Sequence, residues 1–587
     1  MLGVEEGVAL ISHRTRESLF GMLSASVAAL IIAGCGSPQA TATPAPTNTA
    51  AAPSATRVAT TPTPAATQAP TPTPAPQPKY GGTLTLAQTA DPPTFNIYGS
   101  TMALLTNHTH LTHNRLLRFK STQWPENAKY GDLTVVPDLA ESWTVSNDGT
   151  TFTFKLRKGV AWHNVKPLYG REVTSADIQG AFELLRSHPK SVFKGDFSVI
   201  TKMETPDRYT FTMTIPRPLA SWLFRVADGE SSSIAAPDLV AGRGVDYGVT
   251  QDSLAGTGPF LADKAEPGSR YIYVRNPDYF EKPYPYLDRV QWLVIPDAST
   301  REAAFISGQI HSLSVAQAAD VPRIQKASSD VRLYVGEGLS GQAGGLIMNL
   351  QKDKWKDVRV RQAVKYATPW ERVINDLFGG KGSYDACVPT ALRKYSLDQS
   401  ELKQLYRYDP QKSKDLLAAA GFSAANPMAF DLQINPDFNR DYVDIATMIK
   451  AELDAVGFKV TLTPFPIAQG RPRLIDGNFE AAVANLAAVT EPDDAIGAFV
   501  PGNPSNYGHI DDPKITAWHG QQQVEFDEPK RIALLKEFGR YCADQALHLA
   551  TPKRQTHTVE RGWIKNYGIS DFAGDEDREK YAWVDRG

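Results

Sequence analysis

The sequence predicts a mixed α/β protein whose body is divided into several domains. Helix and strand patterns alternate between residues 409 and 462, as is typical of α/β folds. Elsewhere, polar and apolar residues alternate strictly over short segments, which indicates half-buried strands. Residues 79–587 are far more than one typical domain contains, so we expect two or three domains.

Local signals identify individual elements of this body. The alternating segments are 151–157 and 209–215, and each faces a core on one side only. Thr174 with Asp177 has the capping-box pattern that starts an amphipathic helix. Ser299, with a glutamate three residues later, repeats the pattern. Helices are therefore predicted to begin at both places.

Two helix–strand units follow one another in the second half of the chain. In the first, Asp409 and the proline after it begin a helix that Gly421 ends, ahead of a strand over 430–434. In the second, a helix over 441–456 ends at a glycine and leads into a strand over 459–462. This part of the chain is α/β in character.

The first 35 residues have the features of a signal peptide. Arg14 and Arg16 precede an apolar run over 19–33 that is shorter than the ~20 residues needed to span a bilayer. The sequence Ile32-Ala33-Gly34-Cys35 resembles the lipobox of bacterial lipoproteins. Cys35 is thus the expected lipidated first residue, and a retained transmembrane anchor is the alternative.

Residues 36–78 consist almost entirely of Ala, Thr, Pro, Ser and Gln. Such a segment has too little apolar surface to offset the entropy of ordering. We expect a disordered linker that holds the body away from a membrane. An ordinary disordered tail without a tethering role is the alternative.

Charge and cysteine content exclude some classes of protein. The 61 Lys and Arg residues nearly balance the 64 Asp and Glu residues, and the body has no basic block for nucleic acid to bind. Three cysteines are too few for a disulfide-built scaffold. Cys387 and Cys542 could pair in an oxidising exterior or stay as two buried thiols, and the sequence leaves both open.

An ordered series of motifs runs along nearly the whole body. It comprises Gly81–Leu84, Asp91–Asn96, Pro137–Trp143, Asn147–Val160, Trp162-His163, Gly256–Phe260, Arg275–Tyr279, Tyr286–Asp288, Ile295–Arg301, Asp357–Ala363, Tyr408–Pro410 and Ala420–Phe422. The series resembles the large solute-binding proteins of bacterial ABC importers, family 5, which includes dipeptide-, oligopeptide- and nickel-binding proteins.

The resemblance implies a periplasmic-binding-protein-like fold with two α/β lobes joined by a hinge and an accessory domain on the first lobe. When the domain boundaries of the family are transferred to this chain, lobe I comprises residues 79–111, 256–340 and 548–587. The accessory domain is 112–255, and lobe II is 341–547. Such a body closes around a solute that contacts both lobes.

The implied function is that of the extracytoplasmic solute-binding component of an ABC importer. It would capture a peptide-like or other small polar solute and deliver it to the membrane permease. The chain has no G-x-S-x-G elbow, H-E-x-x-H helix or Walker loop, so no reaction and no cofactor are expected. We expect a monomer, anchored through lipid on Cys35 to the outer face of the cytoplasmic membrane.

The resemblance also implies which residues approach the cleft. They are Asp91, Pro92, Thr94, Thr257, Gly258, Asn485, Leu486, Ala488 and Glu491. Main-chain groups of Gly258 and of the backbone around Leu486 could pair with an extended ligand. The simpler alternative is that these residues only shape turns.

The sequence departs from the peptide-binding pattern of the family at the positions that would recognise the solute. Peptide-binding members carry a Trp and, three residues on, an Asp that binds the peptide ammonium. At the family spacing from Glu491, these positions hold Asn485 and Ala488. Alanine cannot neutralise a buried ammonium, which costs several kcal/mol if unpaired.

Nearby acids offer two interpretations. Glu491, Asp493 or Asp494 could replace the missing aspartate, but we favour the interpretation that they cap a helix beginning near Asp494. Asn485 could instead bind a neutral sugar, which makes an oligosaccharide the competing solute. Candidate aromatic faces for sugar rings are Trp222, Trp292, Trp355 and Trp518.

Three histidines, His108, His110 and His113, suggest a metal site only weakly, because His108 points away from the other two on a helix. The resemblance implies an ordinary helix here that ends at Leu116-Leu117, and we favour a packed or solvated face of this helix, with no metal. His163 belongs to a fold-defining motif and is expected to make a structural hydrogen bond.

Two other classes of function compete with solute binding. A hydrolase would need paired carboxylates or a nucleophile with a base, and only Asp493-Asp494 or the serines 231–233 near Glu230 offer such groups. Neither has a recognisable mechanism around it. A ligand-sensing or adhesion lipoprotein with the same closing body is the second alternative.

Overall fold

The computed structural model describes residues 77–120, 132–315, 317–336, 342–434, 436, 441–489, 491–568 and 577–586. The predicted signal peptide, the lipidation of Cys35 and all but the last two residues of the predicted linker lie outside these ranges. No helix within the described ranges is both long and apolar enough to cross a bilayer.

Twenty-two strands are formed by the described residues. They are β1 (Thr83–Gln88), β2 (Leu117–Lys120), β3 (Asp132–Pro137), β4 (Ala140–Val145), β5 (Thr151–Leu156), β6 (Lys202–Asp207), β7 (Thr210–Thr214), β8 (Phe260–Glu266), β9 (Arg270–Arg275), β10 (Arg289–Val294), β11 (Ser312–Val315), β12 (Val331–Gly336), β13 (Gln342–Met348), β14 (Gly382–Ser383), β15 (Met428–Ile434), β16 (Phe458–Pro464), β17 (Ala481–Ala488), β18 (His548–Ala550), β19 (Lys553–Arg554), β20 (Thr556–Arg561), β21 (Ile564–Lys565) and β22 (Trp583–Val584).

Sixteen α-helices accompany them. They are α1 (Ala103–Thr112), α2 (Ser175–Ser187), α3 (Lys194–Phe197), α4 (Trp222–Ala227), α5 (Pro237–Arg243), α6 (Ala298–Ile306), α7 (Val321–Ala327), α8 (Val358–Ala367), α9 (Trp370–Arg372), α10 (Gln399–Leu405), α11 (Pro410–Ala419), α12 (Asp441–Val456), α13 (Ile467–Ile475), α14 (Pro492–Gly497), α15 (Pro513–Val524) and α16 (Glu528–Asp544). The mixed α/β class predicted from the sequence is confirmed.

Three larger sheets organise the molecule. One has the order β1-β10-β9-β8, with β1 parallel to β10 and the other pairs antiparallel. The antiparallel sheet β4-β5-β7-β6 lies between its strands in the sequence. The five-stranded sheet β16-β15-β17-β13-β18 joins parallel pairs of β15 to antiparallel pairs of β13.

Strand pairing brings distant segments of the chain together. Leu84 of β1 lies opposite Val290 of β10, more than two hundred residues later. Strand β20 lies between β11 and β12, and β18 forms the edge of the five-stranded sheet beside β13. These pairings suit a chain that crosses between two lobes, although the domain boundaries given above stay predictions.

Local sequence signals placed most elements correctly. Thr174 and Asp177 form the predicted capping box at the start of α2. Asp409 caps α11 by accepting a hydrogen bond from the Lys412 N–H. The predicted strands 151–157 and 209–215 are confirmed as β5 and β7.

Two local predictions were wrong. The cap of α6 is Asp297 and not Ser299, because the Asp297 carboxylate accepts hydrogen bonds from the Thr300 N–H and from the Ser299 hydroxyl. The helix that carries the histidine cluster ends at Thr112 and not at Leu116-Leu117, since Leu117 begins β2 and pairs with Pro137.

The apolar core explains how the elements are held in place. A large cluster runs from Leu84 through Phe154 and Trp222 to Phe499 and Phe538, so it continues across segments far apart in the sequence. A second cluster fills the space between the five-stranded sheet and helices α8 and α12. Cys387 and Cys542 form a disulfide with their Cα atoms 6.5 Å apart, which resolves the question left open by the sequence.

Candidate functional site

Two segments that are distant in the sequence meet along an interface that we call the seam. One side is formed by residues 217–227, which include α4, and the other by residues 493–531, which include α15. Arg217 Nη1 donates a hydrogen bond to Gln523 Oε1 at 2.6 Å. The Ala220 N–H donates to the Gln523 carbonyl, also at 2.6 Å. The two sides are therefore in direct polar contact.

A buried arginine extends the seam towards the core. The Arg531 guanidinium lies 5.5 Å from the centre of the Phe224 ring and 3.4 Å from the Glu491 carboxylate. Both charged side chains are almost fully buried, at 3% and 5% exposure. The pair thus links the predicted cleft residue Glu491 to an aromatic ring on the opposite side of the seam.

Glu491 caps α14 through a hydrogen bond from the Asp493 N–H, so the favoured interpretation of this acid as a helix cap is confirmed. The helix begins at Pro492, two residues before the predicted position. Burial raises the pKa of the Glu491 carboxyl well above its ordinary value, and the charges of Asp494 and Asp493 act in the same direction while Arg531 opposes them.

Asp493 connects α14 to α15. Its carboxylate lies 3.0 Å from His519 Nε2 and accepts hydrogen bonds from the side-chain amides of Gln522 and Gln523. Burial acts to raise the pKa of Asp493, but these contacts outweigh it and lower that pKa. Gln523 consequently contacts both Asp493 and Arg217, which belongs to the other side of the seam.

A cavity of about 460 Å³ lies beside the seam. Its walls come from residues 99–101, from residues 192–231 and, across the seam, from Asp494. The volume is within the range of ~300–1,000 Å³ that is typical of small-molecule sites. Arg225 lies in the wall, 3.8 Å from Asp196 and 3.5 Å from Asp494. The cavity is thus polar and shared between both sides.

The predicted cleft residues of the first segment lie elsewhere in the fold. Asp91 accepts hydrogen bonds from the Gly268 N–H at 2.9 Å and from the Tyr271 hydroxyl at 2.8 Å. Thr94 donates a hydrogen bond to the Gly248 carbonyl at 3.2 Å, and Pro92 is half-buried. None of the three lines the 460 Å³ cavity, although the loop that they begin leads to its wall at Gly99.

Thr257 and Gly258 are buried and fully engaged in internal contacts. Thr257 Oγ1 donates to Asn114 Oδ1 at 3.1 Å, and the Gly258 N–H donates to the Thr112 carbonyl at 2.9 Å. A Cβ on Gly258 would overlap the backbone of Thr112, so this close approach requires glycine. The Gly258 carbonyl lies 3.0 Å from His163 Nε2, which confirms the structural hydrogen bond predicted for that histidine.

The remaining predicted residues follow one another along β17 and into α14. Asn485 pairs with Gly344 of β13, and its side-chain oxygen accepts a hydrogen bond from the Tyr442 hydroxyl. Leu486 and Ala488 lie farther along the same strand, where Ala488 pairs with Gln342. Glu491, one of the nine predicted residues, contacts Arg531 of the seam.

The alternative sites suggested by the sequence lack the geometry they need. His108, His110 and His113 are buried and have separate partners: Gln88 and Tyr273, the Gly229 carbonyl, and Thr112. Burial lowers the pKa of both His108 and His113 to about 3. Within the described ranges, no group of three or more potential ligands could hold a metal ion.

The serines and tryptophans are likewise accounted for by the fold. Ser231 Oγ donates a hydrogen bond to Asp228 Oδ2 at 2.6 Å, and Ser232 and Ser233 donate to backbone carbonyls. The four candidate tryptophans are at most 6% exposed and do not line the cavity.

Sequence reasoning missed the residues that dominate the seam. Arg217, Arg225 and Gln523 do not belong to any recognisable sequence motif. Their partners across the seam lie roughly 270 to 306 residues away along the chain. The one available signal was Asp494, a possible substitute for the missing aspartate.

Comparison with known proteins gives the following matches. A model of the bacterial extracellular solute-binding proteins, family 5 (middle region), matches residues 134–507. The chain is 28% identical over 390 residues to the dipeptide-binding protein of Escherichia coli K12, which covers 63% of this chain and 69% of the relative. It is 30% identical over 393 residues to heme-binding protein A of Haemophilus influenzae, with 63% and 68% covered.

Solved structures show the same fold. HbpA2 from Haemophilus parasuis superposes with a TM-score of 0.73 at 21% identity, over 86% of this chain and 100% of that one. The periplasmic binding protein DppA from Helicobacter pylori, in complex with the peptide STSA, superposes with a TM-score of 0.66 at 23% identity, over 86% and 99%.

Proposed function

This chain belongs to the bacterial extracellular solute-binding proteins of family 5, and on that premise we propose that it captures a peptide-like or other small polar solute between two lobes and delivers it to the permease of an ABC importer. The family consists of solute-binding proteins, so binding and release, without chemical conversion, are the proposed events.

The observation that carries this proposal is the cavity at the seam. Its wall combines residues 99–101 of the predicted lobe I, residues 192–231 of the predicted accessory domain and, across the seam, Asp494 of the predicted lobe II. A solute that contacts both sides is bound only when the sides are together, so its binding energy favours the closed arrangement. The permease can then distinguish loaded from empty protein by shape.

The names of the relatives support a peptide-like solute, since they include dipeptide- and di/tripeptide-binding proteins. The oligosaccharide alternative gains no support from the four buried tryptophans. We further propose an extracytoplasmic location, anchoring through lipid on Cys35 and a monomeric state. These features rest on the sequence.

The test is to purify the full chain in mild detergent and identify the small molecule that co-purifies with it by native mass spectrometry. Binding of that molecule, or of a panel of di- and tripeptides, should raise the unfolding temperature, and each ligand should be recovered unchanged. Heme and simple oligosaccharides serve as comparison ligands. Turnover of any ligand, or absence of binding by every compound, would contradict the proposal.

A further inference from the structure

A second cavity, of about 320 Å³, lies away from the seam, and we call it the lobe II cavity. Its wall comes from residues 350–361, 509–512 and 545–547, all of which belong to the predicted lobe II. Arg531 of the seam and Gln545 of this wall lie near opposite ends of α16, roughly 21 Å apart along the helix. The lobe II cavity is therefore separate from the cavity at the seam.

The guanidinium of Arg361 in this wall has donors to spare, although the residue is only 5% exposed. Its Nε donates a hydrogen bond to the Gln545 carbonyl at 3.0 Å, and its Nη1 donates to the Trp355 and Lys356 carbonyls at 2.6 and 3.0 Å. These contacts use three of the five N–H groups of a guanidinium, so the two on Nη2 remain. Among the residues that the structure describes, none accepts a hydrogen bond from Nη2 and no carboxylate forms an ion pair with Arg361. Buried donors of this kind need an acceptor.

The positive charge of Arg361 is only partly compensated by its surroundings. Burial lowers the pKa of this side chain, and the opposing effects of Asp357, Tyr541 and Asp512 do not cancel that shift. Asp512 also lines the cavity, but its two carboxylate oxygens accept hydrogen bonds from the Lys514 N–H and the Tyr541 hydroxyl, each at 2.8 Å. An anionic ligand would thus supply what the Nη2 donors lack.

The rest of the wall determines which anion fits. Its cations are Lys356 and Arg361, and its carboxylates are Asp511 and Asp512. Because these charges balance, the wall favours a singly charged anion over a multiply charged one. The wall also presents the apolar side chains of Leu350, Ile510 and Leu547. An apolar surface of this kind favours a ligand with a hydrocarbon part.

We propose that the lobe II cavity binds a small aliphatic monocarboxylate, whose carboxylate accepts hydrogen bonds from Nη2 of Arg361 and whose hydrocarbon part contacts the apolar wall. A carboxylate suits this position because it forms short, charge-assisted hydrogen bonds with a guanidinium. The volume is near the lower end of the ~300–1,000 Å³ that is typical of small-molecule sites, which suits a compact acid. This site lies on one lobe, so its occupation requires neither the solute of the proposed function nor closure.

The experiment measures dissociation constants for the full chain in mild detergent by ligand-observed NMR titration. The probes are butyrate, butyramide, acetate and inorganic phosphate. Butyrate should bind about tenfold or more tightly than butyramide, which has the same shape without the charge. Acetate should bind more weakly because its hydrocarbon part is shorter, and phosphate more weakly because its additional charge meets Asp511 and Asp512.

Three outcomes of these titrations would overturn the inference: no binding of butyrate, equal binding of butyrate and butyramide, or tighter binding of phosphate than of butyrate. Each of them leaves the proposed function untouched, because that function is tested by the molecule that co-purifies with the chain.

Variants assign butyrate binding to this cavity. Arg361→Lys keeps the charge but removes the Nη2 donors, so it should weaken binding about tenfold. Lys356→Gln removes an exposed cation and should weaken binding several-fold, whereas Asp511→Asn removes an exposed anion and should strengthen it several-fold. The two surface variants keep the contacts of Arg361, so they decide the matter even if Arg361→Lys fails to fold. Wild-type affinity for butyrate in both surface variants would overturn the proposal.

The matched controls are Lys403→Gln and Asp320→Asn, which each remove one member of an exposed ion pair outside the cavity. Both should leave the affinity for butyrate unchanged. Shifts equal to those of Lys356→Gln and Asp511→Asn would show a general effect of net charge and would overturn the assignment to the lobe II cavity.

Discussion

Gln523 joins the two sides of the seam, because its side-chain oxygen accepts a hydrogen bond from Arg217 and its backbone carbonyl accepts one from the Ala220 N–H. The amide nitrogen of the same side chain donates to Asp493, which lies beside the cavity residue Asp494. Gln523 therefore connects the seam to α14, the helix that contributes Asp494 to the cavity wall.

Loss of the Arg217–Gln523 contact should favour an open arrangement. We expect Gln523→Ala to increase the radius of gyration of the unliganded chain and to weaken solute binding several-fold. A hydrogen bond to a charged group contributes about 1.5–3 kcal/mol, part of which water recovers in the open form. Small-angle scattering and calorimetry measure the two effects. Arg323→Ala, at an exposed pair, is the control, and scattering identical to wild type would contradict the role of Gln523.

Glu560 should make stability depend on pH. It is 1% exposed in β20, and neither carboxylate oxygen has a hydrogen-bond partner among the described residues. Burial raises its pKa to about 8, while Arg578 and Arg332 oppose the shift. The folded state therefore favours the neutral form of the Glu560 carboxyl. The contribution of this group to the free energy of unfolding is complete below about pH 4.5 and is lost as pH rises to about 8.

Glu560→Gln tests this sign. The variant should be more stable than wild type at pH 8–9 by a few kcal/mol, at about 1.4 kcal/mol per unit of pKa shift, and similar to wild type near pH 4. Urea unfolding at several pH values measures the difference. Glu302→Gln, at an exposed ion pair, controls for loss of a carboxylate. A difference that grows towards acid pH would contradict the prediction.

The Cys387–Cys542 disulfide should stabilise the folded chain, since it closes a loop of 155 residues. Removal of such a crosslink costs about 2–5 kcal/mol, largely through the freedom that the unfolded chain regains. The double variant Cys387→Ser/Cys542→Ser should unfold at lower urea concentration. Dithiothreitol should lower the urea concentration at which the wild type unfolds towards that of the variant, and it should leave the variant unchanged. An equal shift in both proteins would argue against the crosslink.

Asp577 should be required for the packing of the C-terminal segment. Its carboxylate pairs with Arg115 at 3.0 Å and with Lys580 at 3.4 Å, all nearly fully buried. Burial acts to raise its pKa, but the charges of Arg115, Lys580 and Arg118 lower it below its ordinary value. Because removal of one partner leaves buried cations uncompensated, Asp577→Asn should cost about 3–5 kcal/mol of unfolding free energy.

The matched control is Asp585→Asn, which breaks the more exposed pair with Lys79 and should cost no more than about 1 kcal/mol. Thermal and urea unfolding compare the two variants. Equal losses in both would show that burial of the Asp577 pair is not the cause.

Much of the fold could be predicted because its signals are local. The Thr174–Asp177 capping box and the alternation in β5 need only neighbouring residues, and both were predicted correctly. The Ser299 cap was wrong because two acceptable capping residues lie two positions apart, and only hydrogen-bond geometry selects Asp297. Of the cleft residues, Glu491 is part of the seam, whereas Thr257 and Gly258 have their polar groups engaged inside the fold.

The sequence by itself determined the α/β class, the order of most helices and strands, and the resemblance to a family of solute-binding proteins, since periodicity, caps and motif order are carried by residues close together in the chain. The tertiary structure alone decided that Cys387 pairs with Cys542, that Gln523 contacts Arg217, and that Arg225 faces Asp494 beside a cavity. Each of these contacts joins segments at least 155 residues apart, and such contacts are set by how whole elements pack.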